Sequence, residues 1–382
     1  MTLQELESIK TSGRKDEEIK YKARKALHIL DENSNRYHVV IVDKNILDII
    51  EKHGLENTPD NQICACATTV PDVVFITNDL ACKTIGKWIF GLETESISDD
   101  KSEDDYTGYK EVILSEDEMA YFYEHIQENI YELLDNEYIV IRDQDKKIVD
   151  TLVWRNGEYQ NLKFPTIKTE FFGSVKPLYG DIYQQMALNS FSNNQITMIK
   201  GAAGTGKSYL AVGYMMWLLE KHKIDKIIIF ANPTPTMNSA KIGFLPGTQL
   251  DKLVDSSIGN MLVGKLGDKY VIEQLVARNQ LSILPMCDIR GFDTNGMNCA
   301  VYITEAQNLD ISLMKLALQR IGEDSICIID GDYNAQVDLI QYSGNNNGMK
   351  RMSKVFRGYD FYGEVELKNI YRSKIARVAE LM

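Results

Sequence analysis

Residues 196–220, ITMIKGAAGTGKSYLAVGYMMWLLE, constrain this chain more than any other stretch. An apolar run, Ile196 to Ile199, enters the loop Gly201, Ala202, Ala203, Gly204, Thr205, Gly206, Lys207 and Ser208, and a second apolar run of helical length leaves it. The loop fits GxxxxGK[ST] in the strand–loop–helix context that gives the pattern its meaning. Its glycines let successive backbone N–H groups turn inward around phosphate oxygens at a helix N-terminus, where the helix dipole favours anions. Lys207 is then placed for the β and γ phosphates, and the Ser208 hydroxyl for a magnesium ion. The expected ligand is a nucleoside triphosphate with Mg2+.

Two further strand ends supply polar groups. NCAVYITEAQNLD reads as a strand over 301–303 followed by Thr304, Glu305, Ala306 and Gln307. Glu305 is placed to orient an attacking water, and Gln307 to sense the γ-phosphate. Thr304 stands where a magnesium-holding aspartate is usual; its hydroxyl can reach a metal-bound water but carries no charge. SICIIDGDYNAQ forms a third strand ending at Asp330, Gly331 and Asp332, with Gln336 shortly after. Asp332 is expected to supply part of the missing charge at this ATP-site metal, alongside Ser208 and Thr304.

Composition bounds the rest. The 382 residues are 44% hydrophobic and 25% charged, which excludes wholesale disorder and allows two domains with real cores. No apolar stretch approaches the ~18 residues of a membrane span, and the charged start MTLQELESIK lacks the apolar core of a signal peptide. Six cysteines in so long a chain make no disulfide framework, and the tight pair Cys64 and Cys66 lacks a second pair at zinc spacing. These features predict a cytoplasmic chain without a membrane partner. Of the net charge of −13, residues 91–140 carry 16 Asp/Glu against two Lys, so the remainder is close to neutral and basic faces stay available.

Along the chain, Ile19, Ala23, Ala26, Leu27 and Leu30 share one helical face, and a second helical segment begins near Pro59. HVVIVD (38–43) and DVVFITND (72–79) are predicted strands, each closed by a carboxylate. Strands alternating with helices imply parallel α/β architecture with sites beyond the carboxyl ends of the strands. The acidic tract reads as a linker and helix. YIVIR, IVDTLVW and the Asn156-Gly157 turn read as a small antiparallel meander. The expected division is an α/β domain over 1–92, the acidic linker and helix over 93–135, the meander over 136–170 and the nucleotide domain over 171–382.

With those residues in view, the part from about 176 onward resembles the PhoH-like ATPases, a RecA-like branch of the P-loop NTPases. The resemblance runs through Asp181 to Gln184 (family N-x-x-Q), GAAGTGKS, IGFLPG (242–247), Asp288 to Gly291 after Pro285, TEAQN against DEAQN, GDYNAQVD (331–338) and IYRS (370–373). It departs at Thr304 and at Asn232-Pro233, where Arg-Pro is common. It implies ATP as the nucleotide, Gln184 as an adenine reader, Gln336 beside the phosphates, and a homo-oligomeric ring, a hexamer in the fullest form, in which Arg372 or Arg290 reaches a neighbour's γ-phosphate.

The first part is similar to PIN domains, which hold one or two divalent ions between carboxylates to cut RNA. LQELESIK carries Glu5, D-x-x-I is matched by Asp60 to Ile63, and [ST]-x-D by Thr77 to Asp79. Glu5, Asp60 and Asp79 are thus the candidate ligands for Mg2+ or Mn2+. The family's opening strand, ending in D-[ST]-N, has no counterpart here, and Asp43 is a weak substitute. The resemblance therefore implies a PIN-like domain lacking its first strand, a meander, and a RecA-like ATPase remodelling single-stranded RNA as a helicase does, with little cleavage. The alternative is a nucleotide-dependent regulatory or RNA-binding assembly module.

Overall fold

The computed structural model of the chain describes residues 2–11, 17–96, 106–231, 262–264, 266–286, 289–332 and 346–371. It divides into two compact units, 1–104 and 105–382. Several motif residues fall outside the described ones: Asn232-Pro233, IGFLPG, Asp288, Gln336 and Arg372.

The described residues of the first unit are α/β, with helices α1 (Thr2–Thr11), α2 (Glu17–Glu32), α3 (Lys44–Lys52), α4 (Pro59–Ala67) and α5 (Leu80–Trp88). The starts of the last three follow from capping chemistry. Asp43 accepts from the Ile46 N–H, Thr58 from that of Asn61 ahead of a proline at the first position, and Asp79 from that of Cys82. Ile46 and Ile50 of α3 pack on Ala65 of α4. Strands β1 (Val74–Ile76) and β2 (Glu93–Glu95) pair in parallel, Val74 opposite Glu93. HVVIVD, predicted as a strand, takes no regular structure: it pairs with no strand among the described residues, and Val39 and Ile41 stay 61% and 76% exposed. A short apolar run has the composition of a strand, but only a neighbouring ladder makes it one.

The second unit opens with a four-stranded sheet, β3 (Tyr109–Ile113), β4 (Tyr138–Arg142), β5 (Ile148–Arg155) and β6 (Glu158–Asn161), in that order. The last three form the expected meander. β3 lies within the stretch read as linker, yet pairs in parallel with β4. Helix α6 (Glu116–Glu124) comes next, behind a capping box in which Ser115 and Glu118 satisfy each other's backbone donors. Hydrogen bonds fix this sheet to the later part of the unit. Tyr138 Oη donates to the Met186 carbonyl, and buried Asn136 donates to the carbonyls of Tyr359, Asp360 and Tyr362.

A hairpin, β7 (Ile167–Thr169) and β8 (Gly173–Val175), leads through helix α7 (Ile182–Asn193) into β9 (Ile196–Lys200) and helix α8 (Lys207–Glu220). Next in order are β10 (Lys226–Ala231), α9 (Lys269–Ala277), β11 (Leu281–Pro285), β12 (Cys299–Ile303), α10 (Ile311–Leu318), β13 (Ile326–Gly331), α11 (Gly348–Phe356) and β14 (Tyr362–Glu366). Six of these strands form one wholly parallel sheet, ordered β11-β10-β12-β13-β9-β14. Alternation along the strands feeds two cores. Ile227, Ile229, Ala300, Tyr302 and Ile328 face α8, whereas Ile228, Phe230, Val301, Ile303 and Ile329 face α10 and α11. The order matters for the site: β13 lies between β9, which carries the glycine loop, and β12, which carries Glu305.

At the end of β9 the Lys200 ammonium, 6% exposed, sits 2.7 Å from the wholly buried Glu364 carboxylate of β14. Tyr362 and Ser353 donate to the same carboxylate. A buried pair costs desolvation, and removing one partner strands the other charge. Glu364→Gln is accordingly expected to lower unfolding free energy by about 3–5 kcal/mol in a urea titration. A loss below about 1 kcal/mol, the range of a surface pair, would contradict this burial argument.

Candidate active site at the strand ends

The loop between β9 and α8 is shaped by backbone that only glycine takes without strain. Gly201 sits at φ +137°, where a Cβ would lie 2.5 Å from the Leu367 carbonyl oxygen; Gly206, at φ +96°, would meet Gln184 Nε2 at 2.8 Å. Thr205 turns inward and donates to the Ala202 carbonyl at 2.9 Å. Lys207 donates to the carbonyls of Gly201 and, at 3.0 Å, Ala202, which holds its ammonium over the loop. Gln184, expected to read adenine, braces the loop. It donates to the Thr205 carbonyl and accepts from the Leu178 N–H, and none of its surface is exposed. Tyr371 closes the far side of the turn, its N–H donating to the Gly204 carbonyl at 2.9 Å.

A cavity of about 550 Å³ opens beside this loop. Ala203, Gly204, Gly206, Lys207 and Ser208 line it from the loop and α8, Glu305 and Gln307 from the segment after β12, and Asp330 and Asp332 from the end of β13. The sequence motifs thus converge on one space. Glu305 has a left-handed backbone, φ 53°, unusual for a residue with a Cβ and costing about 1–3 kcal/mol. Gln307 holds its carboxylate, Nε2 to Oε2 at 2.6 Å, while the Gln307 side-chain oxygen Oε1 accepts from the Asp332 N–H. Strained backbone held by hydrogen bonds is a mark of functional sites.

The residue that sequence reading left without a role is Asp330. Its Oδ2 accepts from Ser208 Oγ at 3.0 Å and from the buried Tyr302 hydroxyl at 2.6 Å, and its Oδ1 accepts from the Glu305 N–H at 3.2 Å. Burial and the adjacent Asp330 charge push the Tyr302 phenol well above its usual range, so it remains a donor. Thr304 is 4% exposed and does not line the cavity. The signal for Asp330 was the doubled acid of CIIDGD, but only the strand order shows which of the two faces Ser208. Arg290 is exposed and away from the cavity lining. A serine hydroxyl beside one carboxylate, with a lysine across the loop, fits a phosphate-bound magnesium ion, which keeps most of its waters and needs few protein ligands.

In the first unit the candidate carboxylates stand at the starts of three different helices. Among the described residues no group of three or more His, Cys, Asp or Glu could hold a metal ion. Asp79, like Asp43, caps a helix; Asp60 lies in the first turn of α4 and Glu5 in that of α1. Cys64 neighbours Cys82 rather than Cys66, with the sulfurs 3.4 Å apart, and burial first, then the Cys82 hydrogen bond, pushes its thiol up to about 12. That leaves it a protonated core group.

Comparison with known proteins agrees with this geometry. Residues 179–382 match the PhoH-like protein family and residues 1–98 the PIN domain family. The chain is 30% identical over 204 residues to the Thermobispora bispora protein PhoH2, covering 52% of this chain and 45% of that one. It is 26% identical over 352 residues to the Bacillus subtilis protein PhoH2, covering 85% and 78%. To a Bacillus subtilis PhoH-like protein it is 32% identical over 188 residues, covering 48% and 56%. The chain therefore spans under half the length of the first relative and over three quarters of the second. With its glycine loop, parallel sheet and converging strand ends, the chain belongs to the PhoH-like protein family of P-loop nucleotide-binding proteins and carries a PIN domain ahead of that module.

Proposed function

We propose that the second unit binds ATP with Mg2+ and hydrolyses it, and that the cycle remodels or unwinds single-stranded RNA in the cytoplasm. The observation that carries this reading is the convergence of Lys207, Ser208, Glu305 and Asp330 on one cavity. Loop N–H groups and Lys207 neutralise the β and γ phosphates. The metal, when bound, spreads the developing charge between those phosphates. Glu305, held by Gln307, orients the attacking water, and Gln307 lies where it can register loss of the γ-phosphate.

One cavity on one sheet leaves the outer side of the triphosphate to another group. Tyr371 meets the loop at Gly204, its N–H donating to that carbonyl. In the proposed homo-oligomer, a ring of this chain, Arg372 completes the site of a neighbour, with Arg290 second in order. The first unit then serves as an RNA-docking domain with little cleavage, a reading favoured by Asp43 and Asp79 acting as helix caps. A second reading, an assembly switch with slow turnover, is favoured by Thr304 standing off the cavity.

Steady-state ATP hydrolysis with magnesium, measured with and without single-stranded RNA, separates the two. The motor is expected to be strongly stimulated by RNA, with Lys207→Ala as the inactive reference. Turnover indifferent to RNA supports the switch. Glu305→Gln is expected to lower kcat by about 10²–10⁴ while sparing ATP binding. Arg372→Ala is expected to lower it by about 10³–10⁵, again with binding intact. Full turnover in either variant removes that residue from the mechanism.

A further inference from the structure

Resting on the ATP-binding reading, we infer that the carboxylate orienting the magnesium ion stands on β13, at Asp330, and not at the end of β12, where Thr304 takes the usual acid's place. A phosphate loop needs one acid within reach of its Ser/Thr, and that acid normally follows the strand that also supplies the water-orienting glutamate. In this chain Glu305 keeps its place, but its neighbour at 304 is a neutral, buried side chain off the cavity. Ile303 and Ile329 are register partners in adjacent parallel strands, so positions 304 and 330 come after them side by side. The charge has shifted sideways by one strand.

Three contacts fit Asp330 for the role. Ser208 Oγ lies 3.0 Å from Oδ2, so hydroxyl and carboxylate face the same point of the cavity. The Glu305 N–H fixes Oδ1 at 3.2 Å, which couples the acid to the strained turn that aims Glu305. Tyr302 Oη holds Oδ2 at 2.6 Å from beneath. Tyr302 and Thr304 share a strand face, being two residues apart. Tyr302 is thus a positioning residue: wholly buried, it touches no ligand and sets the carboxylate's orientation. One carboxylate and one hydroxyl are too few to hold a divalent ion alone. Metal binding in this chain therefore depends on the nucleotide's own oxygens.

The test is the affinity of the full chain for a fluorescent ATP analogue, mant-ATP, titrated in Mg2+ and again in EDTA. The native protein is expected to bind in both and more tightly with Mg2+; no binding in either defeats the ATP-binding reading itself, an outcome separate from any effect of the variants. Asp330→Asn is expected to keep its affinity in EDTA and to lose about 10–100-fold of the magnesium-dependent gain. Tyr302→Phe is expected to lose a smaller part, again with EDTA binding intact. Asp330→Glu, which keeps the charge, is expected to recover part of the gain, which damage to the fold would not permit. A full magnesium gain in Asp330→Asn overturns the inference, as does loss of that gain in Asp332→Asn while Asp330→Asn retains it. Should Asp330→Asn fail to fold, an Asp330→Glu protein that binds in EDTA but shows no magnesium gain overturns it too.

Discussion

Two oxygens of one buried carboxylate tie the nucleotide site together. Asp330 accepts from Ser208 at the start of α8, from Tyr302 inside β12 and from the backbone of Glu305 beyond it. Each donor belongs to a different element, and Asp330 is 2% exposed at the cavity wall. The strand order makes this possible, because β13 separates the loop strand from the glutamate strand and offers its terminal residues to both. Gln184 performs the matching task on the other side, spanning Leu178 and Thr205 so that the loop keeps its shape.

Much of this was legible from local pattern. The apolar strand, glycine loop and apolar helix at 196–220 could fold in few other ways, and Glu305, Gln307 and Asp332 all line the cavity with Lys207 and Ser208. What escaped was whatever depends on neighbours distant in sequence. Asp330 looked like one of two acids at a strand end until the order of β9, β13 and β12 singled it out. Gln184 has the side chain to read a base, and its bracing of the loop through the backbone of Leu178 and Thr205 showed only in the fold. The strand at 109–113 sits in an acidic stretch whose charge suggested a linker, but pairing with β4 decides its state. HVVIVD shows the converse, strand composition without a ladder.

The two units use their acids differently. In the second, carboxylates gather on a cavity with a lysine and a serine and are held by hydrogen bonds from the surrounding strands. In the first, Asp43 and Asp79 each give one oxygen to a helix N-terminus, a stabilising use. Membership in the PhoH-like family with a PIN domain therefore joins a nucleotide-binding module to a unit in which two candidate acids cap helices.

The central claim is that the cavity beside Gly201 to Ser208 is a nucleotide site. Isothermal titration calorimetry of the full chain with ATP and Mg2+ tests it most directly. The account expects saturable binding of one ATP per chain, displaced by ADP and lost in Lys207→Ala. An absence of binding heat in the folded protein, or binding that Lys207→Ala leaves unchanged, would contradict it.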